Sequence, residues 1–178
     1  MFHINKYGNE KQTLCCFNAV GIDDARDKIL CTRYLQDDGQ CTYGAAEQWY
    51  FQMECHPYAQ RLAMREKVKP YGIQVECWFP LGGAMSNGAL FKDSVIISIA
   101  ENHGKIPAQI ILRWHIQEGF SVIPGATNPD YIRENIQIFD FELTEAEMTQ
   151  MRSLNKKKRF FNATYEQVEQ MGKMPMRD

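Results

Sequence analysis

Short apolar runs alternate with longer amphipathic stretches along the chain from about residue 49 onward. The short runs are rich in aromatic and β-branched side chains, which is typical of buried strands. The longer stretches place apolar residues three or four positions apart, which indicates helices with one buried face. Strands that alternate with helices in this way predict an α/β fold with parallel strands. The predicted strands are 49–53, 73–78 and 121–123, and the predicted helices are 60–69, 94–102, 107–119, 128–135 and 148–154.

Several of the predicted helices begin at residues that satisfy or avoid free backbone N–H groups. Asp93 directly precedes the helix at 94–102 and is suited to cap it. Thr144 and Glu147 have the spacing of a capping box. Pro107 suits the first turn of a helix, because the N–H that proline lacks would have no partner there. These residues place the predicted starts of three helices.

The composition is that of an ordinary globular protein, and it argues against several functions. The 178 residues are 44% hydrophobic and 24% charged. A net charge of −2 offers no basic field for nucleic acid. The apolar runs are far shorter than the ~18 residues that a membrane span needs. Because the first residues also carry no secretory signal, we expect a cytoplasmic protein with no nucleic-acid or membrane partner.

The six cysteines have neither a disulfide framework nor the spacing of a metal site. No C-x-x-C pair occurs, and no histidine stands at a metal-ligand interval from a cysteine. Without an export signal, an oxidising compartment is not indicated. We therefore expect reduced thiols that are mostly buried, and no metal site.

Four motifs in the later part of the chain resemble the second half of the aldo-keto reductase family. They are 52–58 (QMECHPY), 72–82 (GIQVECWFPLG), 105–114 (KIPAQIILRW) and 123–135, which begins with IPG and ends with EN. The first two are similar to the sixth and seventh strands of that family. The resemblance implies a (β/α)8 barrel of the TIM type, with parallel strands and outer helices. It also implies hydride transfer from NAD(P)H to a carbonyl group.

The chain is shorter than the ~200 residues that such a barrel normally needs. Residues 1–48 resemble the family weakly, and the segments for its fourth and fifth strands are missing. We therefore predict one truncated domain over 1–161, an incomplete barrel, followed by a tail over 162–178. We expect the chain beyond the basic run 156–159 to be solvated. A barrel that lacks strands has open edges, so self-association through those edges is a further possibility.

The family resemblance assigns the chemistry to two residues near the amino terminus. Tyr7 resembles the tyrosine that protonates the developing alkoxide, and Arg33 stands where the family has a lysine that eases ionisation of the tyrosine. Phe2 stands where an aspartate is expected, and the strand that carries the family's histidine is absent. Tyr7 is also consistent with a non-catalytic residue in a polar terminal segment. We interpret His56, in a turn, and His115, on a helix, as structural.

The resemblance also identifies residues for the nicotinamide end of the cofactor. Gln52 resembles the glutamine that holds the carboxamide, and Trp78 resembles the aromatic residue that stacks on the nicotinamide ring. Pro80, Leu81 and Gly82 follow in a turn that can bring backbone amides to a pyrophosphate. Each residue also has a structural interpretation, as a buried strand amide, a core aromatic ring or a simple turn. The position of Trp78 at the carboxyl end of a strand favours a site.

The adenosine end of the predicted site differs from that of many relatives. Gly125, Ala126 and Tyr131 stand where those relatives carry lysine, serine and arginine to grip the 2′-phosphate of NADP. Glu134 and Asn135 resemble the adenine contacts. Each charge-assisted contact contributes about 1–3 kcal/mol, so the loss of two cations predicts at most a small preference for NADPH over NADH.

Two functions are consistent with these patterns. The first is an oxidoreductase that reduces aldehydes or ketones with NADPH or NADH. The second is a non-catalytic nucleotide-binding protein or a degenerate remnant of such an enzyme. At the adenosine end, Arg133 replacing a lost cation and Tyr131 stacking on adenine are both open alternatives.

Overall fold

The computed structural model describes residues 51–162 in full and only the backbone of residues 19–20, 28–31 and 49–50. Five strands form one sheet in the order β1-β2-β3-β4-β5. Strands β3, β4 and β5 are parallel to one another, whereas β1, β2 and β3 pair in antiparallel fashion. The strands are Ala19–Val20 (β1), Lys28–Cys31 (β2), Trp49–Glu54 (β3), Gln74–Trp78 (β4) and Ser121–Val122 (β5).

The parallel strands confirm the predicted α/β fold, and the open sheet is part of a barrel. The departure from a parallel barrel lies in β2, where Cys31 pairs with Trp49 at the start of β3. Because the two strands are antiparallel, β2 ends at the edge of the sheet where β3 begins. Only residues 21–27 join β1 to β2, and so short a connection suits antiparallel neighbours, since parallel neighbours need a crossover of a dozen or more residues.

Helices form the connections between the parallel strands and also follow β5, and their bounds lie close to those predicted. None of the helices in the described part of the chain is long and apolar enough to cross a membrane. The α-helices are Leu62–Val68 (α1), Ser94–His103 (α2), Pro107–Gln117 (α3), Pro129–Ile136 (α4) and Glu145–Ser153 (α5), and short 3-10 helices cover Lys69–Tyr71, Ala84–Ser86 and Leu90–Lys92.

The predicted helix caps are confirmed. Asp93 accepts a hydrogen bond from the backbone N–H of Val95 at 3.0 Å at the start of α2. Thr144 Oγ1 accepts from the N–H of Glu147, whose carboxylate accepts from the N–H of Thr144 at 2.8 Å, so the capping box is complete. Asp93 also accepts a hydrogen bond of 2.6 Å from the Tyr58 hydroxyl, which ties α2 to the segment after β3.

Strict alternation gives the sheet two chemically different faces. One face carries apolar side chains, which we call the apolar face: Phe51, Met53, Cys55, Val75, Cys77 and Val122, all buried. The other, the polar face, carries Gln52, Glu54, Glu76, Trp78 and Ser121. The apolar face belongs to one core cluster with helical side chains such as Ile99 of α2 and Ile111 and Trp114 of α3. The sheet therefore turns its apolar face towards α2 and α3.

The apolar face also contains two buried thiols, Cys55 and Cys77, neither of which is in a disulfide. A hydrogen bond from Cys77 lowers the pKa of the Cys55 thiol, while burial raises the pKa of Cys77. The prediction of reduced, buried cysteines is confirmed for these two, and the other four lie outside the residues whose side chains are described.

We expect Asp93→Ala to lower the free energy of unfolding by about 1–3 kcal/mol, because it removes a helix cap and the partner of the Tyr58 hydroxyl. Asp93→Asn is the matched control, since its amide oxygen can still cap the helix. Urea denaturation measures both variants. A loss below about 0.5 kcal/mol for Asp93→Ala would contradict the assignment.

Candidate functional site

The candidate site lies on the polar face of the sheet, towards the carboxyl ends of β3 and β4. In the register of the two strands, Gln52 is opposite Glu76 and Glu54 is opposite Trp78. Gln52 and Trp78 therefore share one face on neighbouring strands, displaced by two residues. Gln52 Nε2 donates a hydrogen bond of 2.8 Å to Glu76 Oε1, which holds the amide in one orientation. The structure thus brings together two of the residues assigned to the nicotinamide.

The turn that follows Trp78 is held in an unusual backbone conformation. Phe79 has a φ of 52°, which is strained for a bulky side chain, and Gly82 has a φ of 83°. A Cβ on Gly82 would lie 2.7 Å from the Cβ of Ser86, so only glycine fits there. The Gly82 N–H donates to the Phe79 carbonyl at 2.8 Å. Its amide closes the turn, which supports the structural interpretation of this glycine.

Between these residues, Pro80 is buried and Leu81 packs against the core cluster. The ring of Phe79 meets the Trp78 ring edge-on, with 4.8 Å between the centroids. The strained turn therefore packs Phe79 against Trp78, the ring assigned to stack on the nicotinamide.

Glu54 is a buried carboxylate of the polar face that the sequence analysis did not single out. It receives hydrogen bonds from Arg159 Nε at 2.9 Å and from the backbone N–H groups of Phe160 and Phe161 at 2.6 and 3.2 Å. His56 Nε2 lies 3.2 Å from Glu54 Oε1, the oxygen that also accepts from the two backbone N–H groups. The sequence signal for such a carboxylate is an acidic residue within a strand that is otherwise mostly apolar.

The charge of Glu54 depends on this set of donors. Burial is the largest single effect and opposes ionisation, but the bonds from His56, Arg159 and the two N–H groups outweigh it and lower the pKa of Glu54 to about 2. Glu54 is therefore an anion at neutral pH, and it fixes the segment 159–161 over the polar face.

The segment 159–161 brings two aromatic rings onto the candidate site. Phe160 stacks on His56 with 4.5 Å between ring centroids. Phe161 meets Trp78 edge-on at 5.3 Å. The expectation that the chain is solvated beyond the basic run is wrong for Phe160 and Phe161, because a buried carboxylate binds their backbone and Arg159. The interpretation of His56 as structural is consistent with its full burial and its pairing to Glu54.

The residues assigned to the adenosine lie after β5 and in α4. Gly125 is exposed and Ala126 half-buried, just beyond the strand that pairs with β4, so they leave the sheet at the edge where Trp78 lies. In α4, Tyr131 is exposed, Glu134 is half-buried and Asn135 is buried.

Two polar contacts lie at exposed positions of α4 and its N-cap. Asn128 caps α4 by accepting a hydrogen bond from the Asp130 N–H at 2.9 Å. Arg133, the alternative source of positive charge, forms an ion pair with Asp130 at 2.5 Å.

The two residues assigned to catalysis, Tyr7 and Arg33, lie outside the described residues. Strand β2, which precedes Arg33 in sequence, ends beside Trp49 at the amino end of β3. Gln52 and Trp78 lie towards the carboxyl ends of β3 and β4. The described part of the chain therefore contains the residues assigned to the cofactor and none of those assigned to proton transfer.

Parallel strands with helices between them and polar side chains at their carboxyl ends define part of an α/β barrel. Residues 46–156 match the model of the family described as "Aldo/keto reductase family". This match covers more than half of the chain, and the chain belongs to that family.

Curated relatives share the same portion of the chain. The chain is 45% identical over 108 residues to an aldo-keto reductase of Mycolicibacterium smegmatis, and the match covers 61% of this chain and 38% of the relative. It is 44% identical over 108 residues to the 9,11-endoperoxide prostaglandin H2 reductase of Trypanosoma cruzi, with the same coverage. The chain thus spans less than half the length of these relatives.

Solved structures of the family match with a similar extent. MGS-M4, an aldo-keto reductase from a deep-sea metagenome library, is 33% identical with a TM-score of 0.60, over 62% of this chain and 41% of that one. A variant of Gox0644 in complex with NADPH is 38% identical with a TM-score of 0.58, over 63% of this chain and 40% of that one. These likenesses support a partial barrel of the TIM type.

We expect Glu54→Gln to flatten the acid dependence of stability. The folded-state pKa of about 2 lies below the ordinary 4.5, so the ion contributes stability above pH 4.5 that is lost as the pH falls towards 2. This contribution is on the order of 3 kcal/mol. Urea melts at several pH values measure it.

The exposed Glu142 provides the control, and Glu142→Gln is expected to keep the acid dependence of the unchanged chain. Parallel stability curves for Glu54→Gln and the unchanged chain would contradict the role given to Glu54.

Proposed function

We propose that this chain is an oxidoreductase of the aldo-keto reductase type, which transfers a hydride between NADPH or NADH and an aldehyde or ketone. The observation that carries the proposal is the placement of Gln52 and Trp78 on one face of adjacent strands, in a chain that belongs to this family. A related protein, Gox0644, has been solved with NADPH.

The nicotinamide end of a cofactor fits the residues of the polar face. Trp78 is half-buried, so part of its ring is accessible for stacking. Gln52 donates an N–H to Glu76, and its amide oxygen can accept a hydrogen bond from a carboxamide. A reduced nicotinamide would supply the hydride, and these two side chains would hold its ring and amide in one orientation.

Proton transfer is assigned to the amino-terminal part of the chain. Reduction of a carbonyl adds one hydride to carbon and one proton to oxygen, and leaves the oxidised cofactor and an alcohol. We propose Tyr7 as the proton donor, with the positive charge of Arg33 stabilising its ionised form. The domain that performs this reaction is proposed to extend over residues 1–161.

The turn and the helix after β5 are proposed to bind the rest of the cofactor. The rigid turn formed by Pro80, Leu81 and Gly82 would lie beside the pyrophosphate as a packed wall. Glu134 and Asn135 would contact the adenine. Because Gly125 and Tyr131 replace the lysine and arginine of many relatives, no strong preference for a 2′-phosphate is expected.

The nearby Phe161 bears on cofactor affinity. Its ring already touches the Trp78 ring, so a nicotinamide must share that surface with it or move it. The bonds from the 160 and 161 N–H groups to Glu54 hold the segment in place and limit such a movement.

We expect Trp78→Ala to weaken NADPH and NADH binding by roughly 2–12-fold, because an aromatic contact contributes about 0.5–1.5 kcal/mol. Quenching of protein fluorescence on titration measures the affinity of the unchanged chain, and calorimetry measures both chains. Tyr71→Ala is the control, since Tyr71 is an exposed aromatic residue just before the amino end of β4. Equal affinity for Trp78→Ala and the unchanged chain would refute the stacking role.

We expect the unchanged chain to bind NADPH and NADH with similar affinity, and Gly125→Lys to tighten NADPH selectively by roughly tenfold. A side chain at Gly125 meets nothing within 4 Å, so lysine fits without strain from neighbours. Gly125→Gln is the uncharged control. Titration of both cofactors measures the effect, and an equal gain for NADH would show that charge on the 2′-phosphate is not responsible.

Turnover separates the proposed enzyme from a non-catalytic nucleotide-binding remnant. We expect oxidation of NADPH or NADH that depends on an added aldehyde and falls by at least about a hundredfold in Tyr7→Phe. The same Tyr7→Phe protein should bind the cofactor with unchanged affinity. Cofactor binding without any carbonyl-dependent oxidation would favour the remnant.

A further inference from the structure

Three potential metal ligands meet in the core, on the side of the sheet opposite the candidate cofactor site. Cys55 follows β3, Cys77 lies in β4 and His115 lies in α3, and all three are 0% exposed. Their two sulfur atoms and a ring nitrogen lie within 4.8 Å of one another. Because the three residues are far apart in sequence, the spacing rules that predict metal sites do not detect them.

Both ring nitrogens of His115 lie within hydrogen-bond distance of backbone carbonyl oxygens. Nδ1 lies 2.7 Å from the carbonyl oxygen of Ile111, a distance that indicates an N–H donated one helical turn back. Nε2 lies 3.1 Å from the carbonyl oxygen of Cys55. A cation at the cluster would be bound by Nε2, the ring nitrogen on the side of Cys55, in place of this carbonyl contact.

We infer that Cys55, Cys77 and His115 form a buried binding site for a thiophilic d10 cation, Zn²⁺ or Cu⁺. Thiolate sulfur and imidazole nitrogen are the ligands that both ions favour. The hydrogen bond from Nδ1 to a backbone carbonyl is the outer contact that commonly orients a metal-binding histidine. No member of the set belongs to the candidate cofactor site.

The distances require only a small contraction on binding. Zinc lies about 2.3 Å from sulfur and about 2.0–2.1 Å from nitrogen, so its ligands are roughly 3.5–4 Å apart. Ligand atoms that now lie within 4.8 Å of one another would approach by about 1 Å to reach these separations.

Charge and coordination number distinguish the two ions. Zn²⁺ would neutralise two thiolates, which favours it in a buried site, but it normally takes four ligands. Cu⁺ is stable with three ligands, which matches the three side chains of the cluster. The two ions are therefore tested in separate experiments.

A bound cation would join three elements of the partial barrel. The ligands come from the end of β3, from β4 and from α3. Strands β3 and β4 also carry Gln52 and Trp78 on their opposite face. Metal binding is therefore expected to stabilise the two strands of the candidate cofactor site, because the ion binds only the folded arrangement.

The test uses the full chain, purified under reducing and anaerobic conditions and stripped with a chelator. Zn²⁺ and Cu⁺ are titrated in separate experiments, with elemental analysis of the bound metal and a thermal melt of each form. We expect one equivalent of at least one ion and a rise of several degrees in the melting temperature. Co²⁺ in place of zinc should give the intense visible absorption of thiolate coordination.

Two variants locate the site. Cys77→Val keeps an apolar side chain in the core and should abolish binding while the metal-free protein still melts cooperatively. A chain in which the other cysteines are changed to serine should bind as before; these are Cys15, Cys16, Cys31 and Cys41.

The inference is overturned if the unchanged chain binds no metal. It is also overturned if the variant that retains only Cys55 and Cys77 no longer binds metal. Binding that persists in Cys77→Val would also overturn it. If Cys77→Val does not fold, the variant that lacks the other cysteines still decides whether the buried pair is responsible.

Discussion

The carboxylate of Glu54 is buried on the polar face of the sheet, and it is ionised only because donors from two parts of the chain converge on it. A buried carboxylate without partners would be strongly destabilising. To satisfy this charge, the chain after α5 returns to the sheet and places Arg159 and the backbone of Phe160 and Phe161 over β3. The same contacts bring Phe161 to Trp78, so the electrostatic requirement of one residue shapes the surroundings of the candidate site.

The register of β3 and β4 separates two kinds of chemistry. Side chains alternate between faces, so Gln52 and Trp78 lie on one side while Cys55 and Cys77 lie on the other. A slip of one residue in either strand would bury the polar set against the helices and expose the thiols. Packing against α2 and α3 prevents this, because the apolar face belongs to the core that those helices complete.

An open sheet is tolerable in this chain because the face that would line a closed barrel is largely polar. Gln52 bonds to Glu76, and Glu54 bonds to the returning segment, so these side chains do not require an apolar cover. The connectivity of β2 departs further from a closed barrel, since it pairs antiparallel with β3. The family match over 46–156 covers the parallel strands and the residues assigned to the cofactor.

The amino-acid sequence by itself determined the α/β pattern, the helix caps and the family, because these follow from periodicity, local hydrogen bonding and contiguous motifs. Asp93 and Thr144 act within a few residues of their own positions, and local chemistry is sufficient to predict them. Only the tertiary structure decided the antiparallel pairing of β2, the burial of Glu54 under Arg159 and the meeting of two thiols with His115. Each of these joins residues that are distant in sequence, and such contacts depend on how the elements pack, which no local pattern contains.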